Sequence, residues 1–260
     1  MRLFLLLFLL TPSLHAAPKI IAHRGASEKA PENTLAAFQA AWKEGADGIE
    51  ADFRLSKDGR VVCIHDEDTH RTTGRKLVVA ETPWELMRTL DAGSWKHRRY
   101  SKEHLPLFEE VLAIVPPGKF FFVEIKSGPE TVAPLARLLK GADPKRVFLI
   151  SFNAEVVAEC RKKLPNFQVH WISHLDQMHQ KNAERTYLGI LDAIDATGLQ
   201  FSRKARVSDD FLNRVRRADR LTACWTINKV STAKQVAARG VDFITTDRPA
   251  AIRKGTGWTK

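Results

Sequence analysis

The chain has 260 residues, with 41 Lys and Arg against 30 Asp and Glu, and a formal net charge of +11 at pH 7. Its 44% hydrophobic and 27% charged residues are ordinary globular composition, which excludes a disordered, collagen-like or low-complexity chain. The one long apolar run, residues 3–10, is far shorter than the ~20 residues a membrane-spanning helix needs, so a multi-span membrane protein is excluded as well.

That run follows Arg2 and leads through Thr11, Pro12 and Ser13 to Ala16 and Ala17, the order of a secretory signal peptide. The expectation is a signal peptide over residues 1–17, cut near Ala16 or Ala17, and a periplasmic or secreted protein formed by one domain over residues 18–260. An uncleaved N-terminal anchor is the alternative. Cys63, Cys160 and Cys224 are too few for a disulfide framework and read as buried thiols, with at most one bridge. The cationic excess is either a solvated surface or an attraction for anionic substrates and membrane surfaces. Short basic runs such as residues 96–99 lack interleaved aromatics, so no nucleic-acid partner is expected; nor is stable membrane insertion.

In chain order, short β-rich runs alternate with helical segments. A first strand at 19–23 precedes a helix from Thr34 to Glu44, capped by Asn33 and closed by Gly45, with Leu35, Phe38 and Trp42 on one face. A second strand covers 48–54. Only Ser56, Lys57, Asp58 and Gly59 separate its end from the run 61–65, too few for a parallel crossover, and Asp-Gly is a hairpin signal, so 61–65 returns antiparallel. Residues 66–101 read as a polar, irregular insertion, and 107–115 as a helix. Further strands follow at 120–126, 146–152, 167–173, 196–201, 221–228 and 241–245. Helices are expected between them at 129–140, 153–164, 176–194, 208–219 and 231–239. Eight strand–helix units predict an α/β fold, a (β/α)8 TIM barrel with a β-hairpin after strand 2 and a small insertion above the barrel mouth. A doubly wound open sheet is the runner-up, but no Gly-rich nucleotide turn follows the first strand.

In such a barrel the C-terminal strand ends face the active site. The first strand ends in His23 and Arg24, the second carries Glu50 and Asp52, the hairpin ends in His65, and the strand at 120–126 carries Glu124 and Lys126. Residues two apart share a strand face, which turns Glu50 with Asp52, and Glu124 with Lys126, one way, and packs Phe121, Val123 and Ile125 under the helices. Three carboxylates converging on one mouth repel, and a hard divalent cation, Ca2+ or Mg2+, resolves that with all-oxygen ligation; a salt-bridged network is the alternative. His23 and His65 form an acid/base pair, and Arg24 and Lys126 supply fixed positive charge for an anionic phosphate. No Ser or Cys sits at a sharp elbow beside the histidines, which argues against a serine hydrolase.

These motifs resemble the glycerophosphodiester phosphodiesterase family: HRG at 23–25, PENT at 31–34, EADFRLSKDGRVVCIHD at 50–66, RTTG at 71–74, EIK at 124–126, WTIN at 225–228 and TDRP at 246–249. The resemblance implies a barrel that hydrolyses the P–O bond of small-molecule glycerophosphodiesters to glycerol 3-phosphate and an alcohol. It assigns Glu50, Asp52 and Glu124 as metal ligands, His23 and His65 as acid and base, and Arg24 and Lys126 as phosphate contacts. Glu32 either orients Arg24 or is a plain helix-start acid, and Trp225 and Phe152 either line the substrate pocket or fill the barrel. Two other activities compete: a lysophospholipase D or phospholipase D-type lipid phosphodiesterase, and a non-catalytic module that binds phosphate esters.

Overall fold

The computed structural model describes residues 16–259; residues 1–15, which carry most of the expected signal peptide, lie outside the described residues. Nine strands alternate with helices: β1 (Lys19–His23), β2 (Gly48–Leu55), β3 (Val61–Cys63), β4 (Phe120–Ile125), β5 (Val147–Ser151), β6 (Gln168–Ser173), β7 (Gly198–Ser202), β8 (Leu221–Trp225) and β9 (Phe243–Thr246). The α-helices are α1 (Leu35–Lys43), α2 (His70–Thr73), α3 (Trp84–Met87), α4 (Phe108–Ala113), α5 (Val132–Leu138), α6 (Ala154–Lys163), α7 (Ala183–Ala193), α8 (Asp209–Arg217), α9 (Val230–Ala238) and α10 (Pro249–Thr256). Eight strands pair in parallel around a closed ring, β1-β2-β4-β5-β6-β7-β8-β9 and back to β1. The exception is β3, which lies outside the ring and pairs antiparallel with β2, Phe53 opposite Cys63 and Leu55 opposite Val61. This is the expected (β/α)8 barrel with its hairpin.

Strand alternation divides the apolar residues into two compartments. Ile49, Ala51, Phe53, Phe121, Val123 and Ile125 point outward and are buried against the helix layer with Phe38 and Phe108. Ile21, Phe122, Phe148, Ile150, Ile172 and Phe243 point inward and plug the lumen. Phe122 stacks on Phe148 at 4.5 Å between ring centroids, and Phe243 meets both edge-on at 5.2 Å. The imidazole of His170 also fills this plug, against Phe148 at 5.1 Å. Gly198 on the neighbouring strand leaves it room, since a Cβ there would meet the ring at 2.4 Å. Burial pushes His170 down to about 3, so the ring is neutral filler.

Several local expectations need correction. Thr34, not Asn33, caps α1, its hydroxyl accepting from Ala37 N at 3.3 Å, while Asn33 adopts φ 57° and turns its amide elsewhere. The helix expected over 176–194 exists only from Ala183, because Asn182 just before it has φ 69°, incompatible with a continuous right-handed helix. The return strand stops at Cys63, where its N–H donates to Pro106 O at 2.8 Å. The strand expected over 221–228 stops at Trp225. The last helix, α10, had no counterpart in the sequence reading; Arg253 on it donates to Asp47 Oδ2 at 2.6 Å, fastening the helix to the turn before β2. The segment 66–101 is more ordered than its polarity suggests. It folds α2 and α3 and shares a separate apolar cluster of Val62, Ile64, Val79, Trp84, Met87 and Leu90.

Candidate active site

Register brings the polar residues together. In the parallel ladders His23 lies beside Glu50, and Asp52 beside Glu124. One oxygen each from Glu50, Asp52 and Glu124 lie within 4.8 Å of one another, all three residues buried. That is the spacing of two ligands on one ion at ~2.4 Å each. Glu50 Oε1 and Asp52 Oδ1 are buried without a hydrogen-bond partner among the described residues, a cost that a bound cation would remove. An all-carboxylate donor set with orphaned buried oxygens fits a hard divalent cation.

Fixed cations hold the acids. Arg24 N donates to Glu50 Oε2 at 2.9 Å, and Arg24 Nε lies 3.1 Å from Asp52 Oδ2. Gly25 makes this turn: it has φ 81°, and a Cβ on it would lie 2.5 Å from the Ala37 carbonyl carbon. Lys126 Nζ donates to Glu124 Oε1 at 2.8 Å and lies 3.7 Å from Asp52 Oδ1. Burial drives the Glu50 carboxyl up to about 8, helped by repulsion from Asp52. Burial also raises Glu124, with Asp52 adding to it. For Asp52 burial acts in the same direction, but Arg24 and Lys126 overcome it and hold the carboxyl below the usual range.

Each candidate imidazole leans on an acid. His23 Nδ1 is 2.7 Å from Asp247 Oδ1, and His65 Nδ1 is 2.7 Å from Asp66 Oδ1. A carboxylate only accepts, so Nδ1 carries the hydrogen in both rings and Nε2 is left for chemistry. Burial opposes charge on His23, yet the bond to Asp247 and the field of Glu50 raise it overall. Burial lowers His65, with Asp52 and Arg24 pulling in opposite directions.

Glu32, Trp225 and Phe152 all stand at this mouth. Glu32 Oε1 accepts from Arg24 Nη1 at 2.9 Å, and the same carboxylate takes two bonds from Arg71, which reaches Asp66 Oδ2 at 2.5 Å. Trp225 is half-buried and packs edge-on to Phe152 and His174, at 5.7 and 5.1 Å. Trp225 and Phe152 line one cavity of about 290 Å³ with His23, Arg24, Glu50, His65, Glu124 and Lys126. His174 and Gln200 line it too.

Sequence reasoning missed the supporting residues. Asn33 Nδ2 donates to Asp52 Oδ2 at 2.8 Å, and its Oδ1 accepts from Asp52 N at 3.2 Å. Asp247 is held by Ser27 Oγ at 3.0 Å and by Asn228 Nδ2 at 2.5 Å. Asn33, Asn228 and Asp247 stand in PENT, WTIN and TDRP; membership in those motifs was the available signal, whereas His174 and Gln200 carried none.

The ring and its mouth define a (β/α)8 barrel of the enzyme type, with a carboxylate cluster that could hold a cation, flanked by two imidazoles and two fixed positive charges at the C-terminal strand ends. The chain belongs to the glycerophosphoryl diester phosphodiesterase family, which it matches over residues 23–251. It is 30% identical over 247 residues to a glycerophosphodiester phosphodiesterase of Caldanaerobacter subterraneus subsp. tengcongensis, covering 91% of this chain and 98% of that one. A glycerophosphodiester phosphodiesterase of Bacillus altitudinis is 31% identical over 239 residues, covering 89% and 95%. Among solved structures, an Oleispira antarctica phosphodiesterase in complex with the product sn-glycerol-3-phosphate superposes with a TM-score of 0.83 at 28% identity, covering 93% of this chain and 97% of that one.

Proposed function

We propose that this protein is an exported, cation-dependent phosphodiesterase that hydrolyses glycerophosphodiesters to glycerol 3-phosphate and an alcohol. The observation that carries the reading is the clustering of Glu50, Asp52 and Glu124 at the cavity that Glu50 and Glu124 line together with His23, His65, Arg24 and Lys126. Family membership and the product-bound relative support the substrate class. Export rests on the N-terminal sequence alone; the mass of the mature protein tests it.

Glu50, Asp52 and Glu124 would hold Ca2+ or Mg2+, which when bound draws charge from a phosphate oxygen. Arg24 and Lys126 stabilise the negative charge that builds on the phosphoryl oxygens. One imidazole Nε2 takes the proton of the attacking hydroxyl, from water or from the substrate's own glycerol; in the second case a cyclic phosphate forms, and water then breaks one ring P–O bond to give glycerol 3-phosphate. A new P–O bond forms, the bond to the departing alkoxide breaks, and the other imidazole protonates that oxygen. Asp247 and Asp66 keep both rings in the tautomer this needs.

The test follows phosphorus and product together: the protein with glycerophosphocholine and Ca2+ or Mg2+ is expected to convert the diester to glycerol 3-phosphate and choline. An unchanged diester with either cation contradicts the reading. Exposed Leu86 and Trp95 in the insertion are the observation that favours a lipid substrate, and lysophosphatidylcholine belongs in the same assay. Binding without product would mark a non-catalytic module.

A further inference from the structure

A second cavity of about 480 Å³ opens beside the first and shares His174 and Trp225 with it. Its other walls come from the ends of β7 and β8 and include Arg203, Lys204, Asn228 and Lys229. No Asp or Glu among the described residues lines this cavity. Arg203, Lys204 and Lys229 are exposed and have no ion-pair partner among the described residues. The contrast with a third cavity, on the His23 side, is sharp. That one is lined by Glu28, Glu32 and Asp247, and its Arg248 is paired with Glu28. Arg203, Lys204 and Lys229 are gathered on one cavity, unpaired and beside the cavity that His23 and His65 line.

Resting on the phosphodiesterase reading, we propose that the cavity walled by Arg203, Lys204 and Lys229 binds the departing alcohol of the substrate, and that it selects alcohols carrying a negative charge, a phosphate or a carboxylate. A cationic alcohol such as choline is repelled there. A phosphodiester centred on the acidic cluster passes one arm over the wall made by Phe152, His174 and Trp225, with His174 stacked on Phe152 at 5.2 Å. Beyond that wall every formally charged side chain the arm meets is positive, Arg203, Lys204 and Lys229, among neutral Ser202, Thr226, Asn228 and Thr232. Because these charges are exposed, each contributes modestly and is screened by salt, but three acting on one anion add to a measurable preference.

A matched pair of substrates isolates the effect: glycerophosphoinositol 4-phosphate and glycerophosphoinositol differ only in the added phosphate. The expected ratio of their kcat/KM values is roughly tenfold or more in favour of the charged one at low salt, shrinking as ionic strength rises. The double variant K204E/K229E is expected to reduce the ratio by at least about tenfold, whereas Lys162→Glu, a charge reversal on the exposed side of α6, leaves it as in the wild-type protein. Both sites are exposed, so folding is checked simply by an unchanged unfolding midpoint. Hydrolysis of both substrates with a ratio near one, or a ratio that survives K204E/K229E, overturns the subsite while leaving the phosphodiesterase reading intact. Hydrolysis of neither by a protein that releases glycerol 3-phosphate from glycerophosphocholine overturns the subsite alone; hydrolysis of none of the three overturns the phosphodiesterase reading and the subsite with it.

Discussion

His23 and Asp247 are 224 positions apart in the chain and 2.7 Å apart in the fold. The imidazole was legible in the sequence because it ends the first strand beside an Arg; its partner was visible only as a member of TDRP, with no hint of what it holds until the ring closes β9 against β1. The same is true of Asn33, which looked like a helix cap and instead spends both ends of its amide on Asp52. His23→Ala and His65→Ala are each expected to lower kcat by ~10²-fold or more. Asp247→Asn keeps the shape but removes the charge that fixes the His23 tautomer, so kcat is expected to fall with KM little changed. The same variant has a stability signature. The bond from His23 holds Asp247 at about 2 despite partial burial, below the ~3.9 of an unfolded Asp. A depressed carboxyl contributes stability above its unfolded value and loses that contribution as pH falls through the folded one. Between pH 5 and pH 2, Asp247→Asn is therefore expected to lose less stability than the wild-type protein in urea titrations. Equal losses would mean that the pair contributes nothing.

At the scale of elements, period-two alternation on β2 and β4 does most of the positioning. Glu50 and Asp52 face the mouth because Ile49, Ala51 and Phe53 face the helices; Phe122 and Glu124 alternate with Phe121, Val123 and Ile125 in the same way. That pattern needs only the sequence, which is why the barrel, its hairpin and the acidic cluster were readable. The misjudged parts share a physical cause. Helix starts depend on single φ values, as at Asn33 and Asn182, and the insertion's small core gathers apolar residues with no regular period. The lumen plug below the acids is testable. Phe122→Ala removes a fully buried ring stacked on Phe148 and is expected to cost about 3–5 kcal/mol, read as a lower urea midpoint. A cost well under 1 kcal/mol would mean that the plug is loosely packed and the strands carry the site without it.

For the whole molecule, the ring gathers what the chain disperses: the acids come from two strands, the imidazoles from a strand end and a hairpin, and their supports from loops at both ends of the sequence. Cys63, Cys160 and Cys224 are all buried and free, so the barrel stands on its packed layers without a disulfide. Among the described residues no helix is long and apolar enough to cross a membrane. The cationic excess that looked featureless in the composition has at least one local concentration, at the mouth beside Trp225. The claim beneath all of this is that Glu50, Asp52 and Glu124 share one cation that hydrolysis requires. The direct measurement is glycerol 3-phosphate release from glycerophosphocholine after exhaustive EDTA treatment and again after Ca2+ or Mg2+ is restored. Release is expected to stop on chelation, to return with one of the two ions, and to fail to return in Asp52→Asn; undiminished release from the chelated wild-type protein would contradict the account.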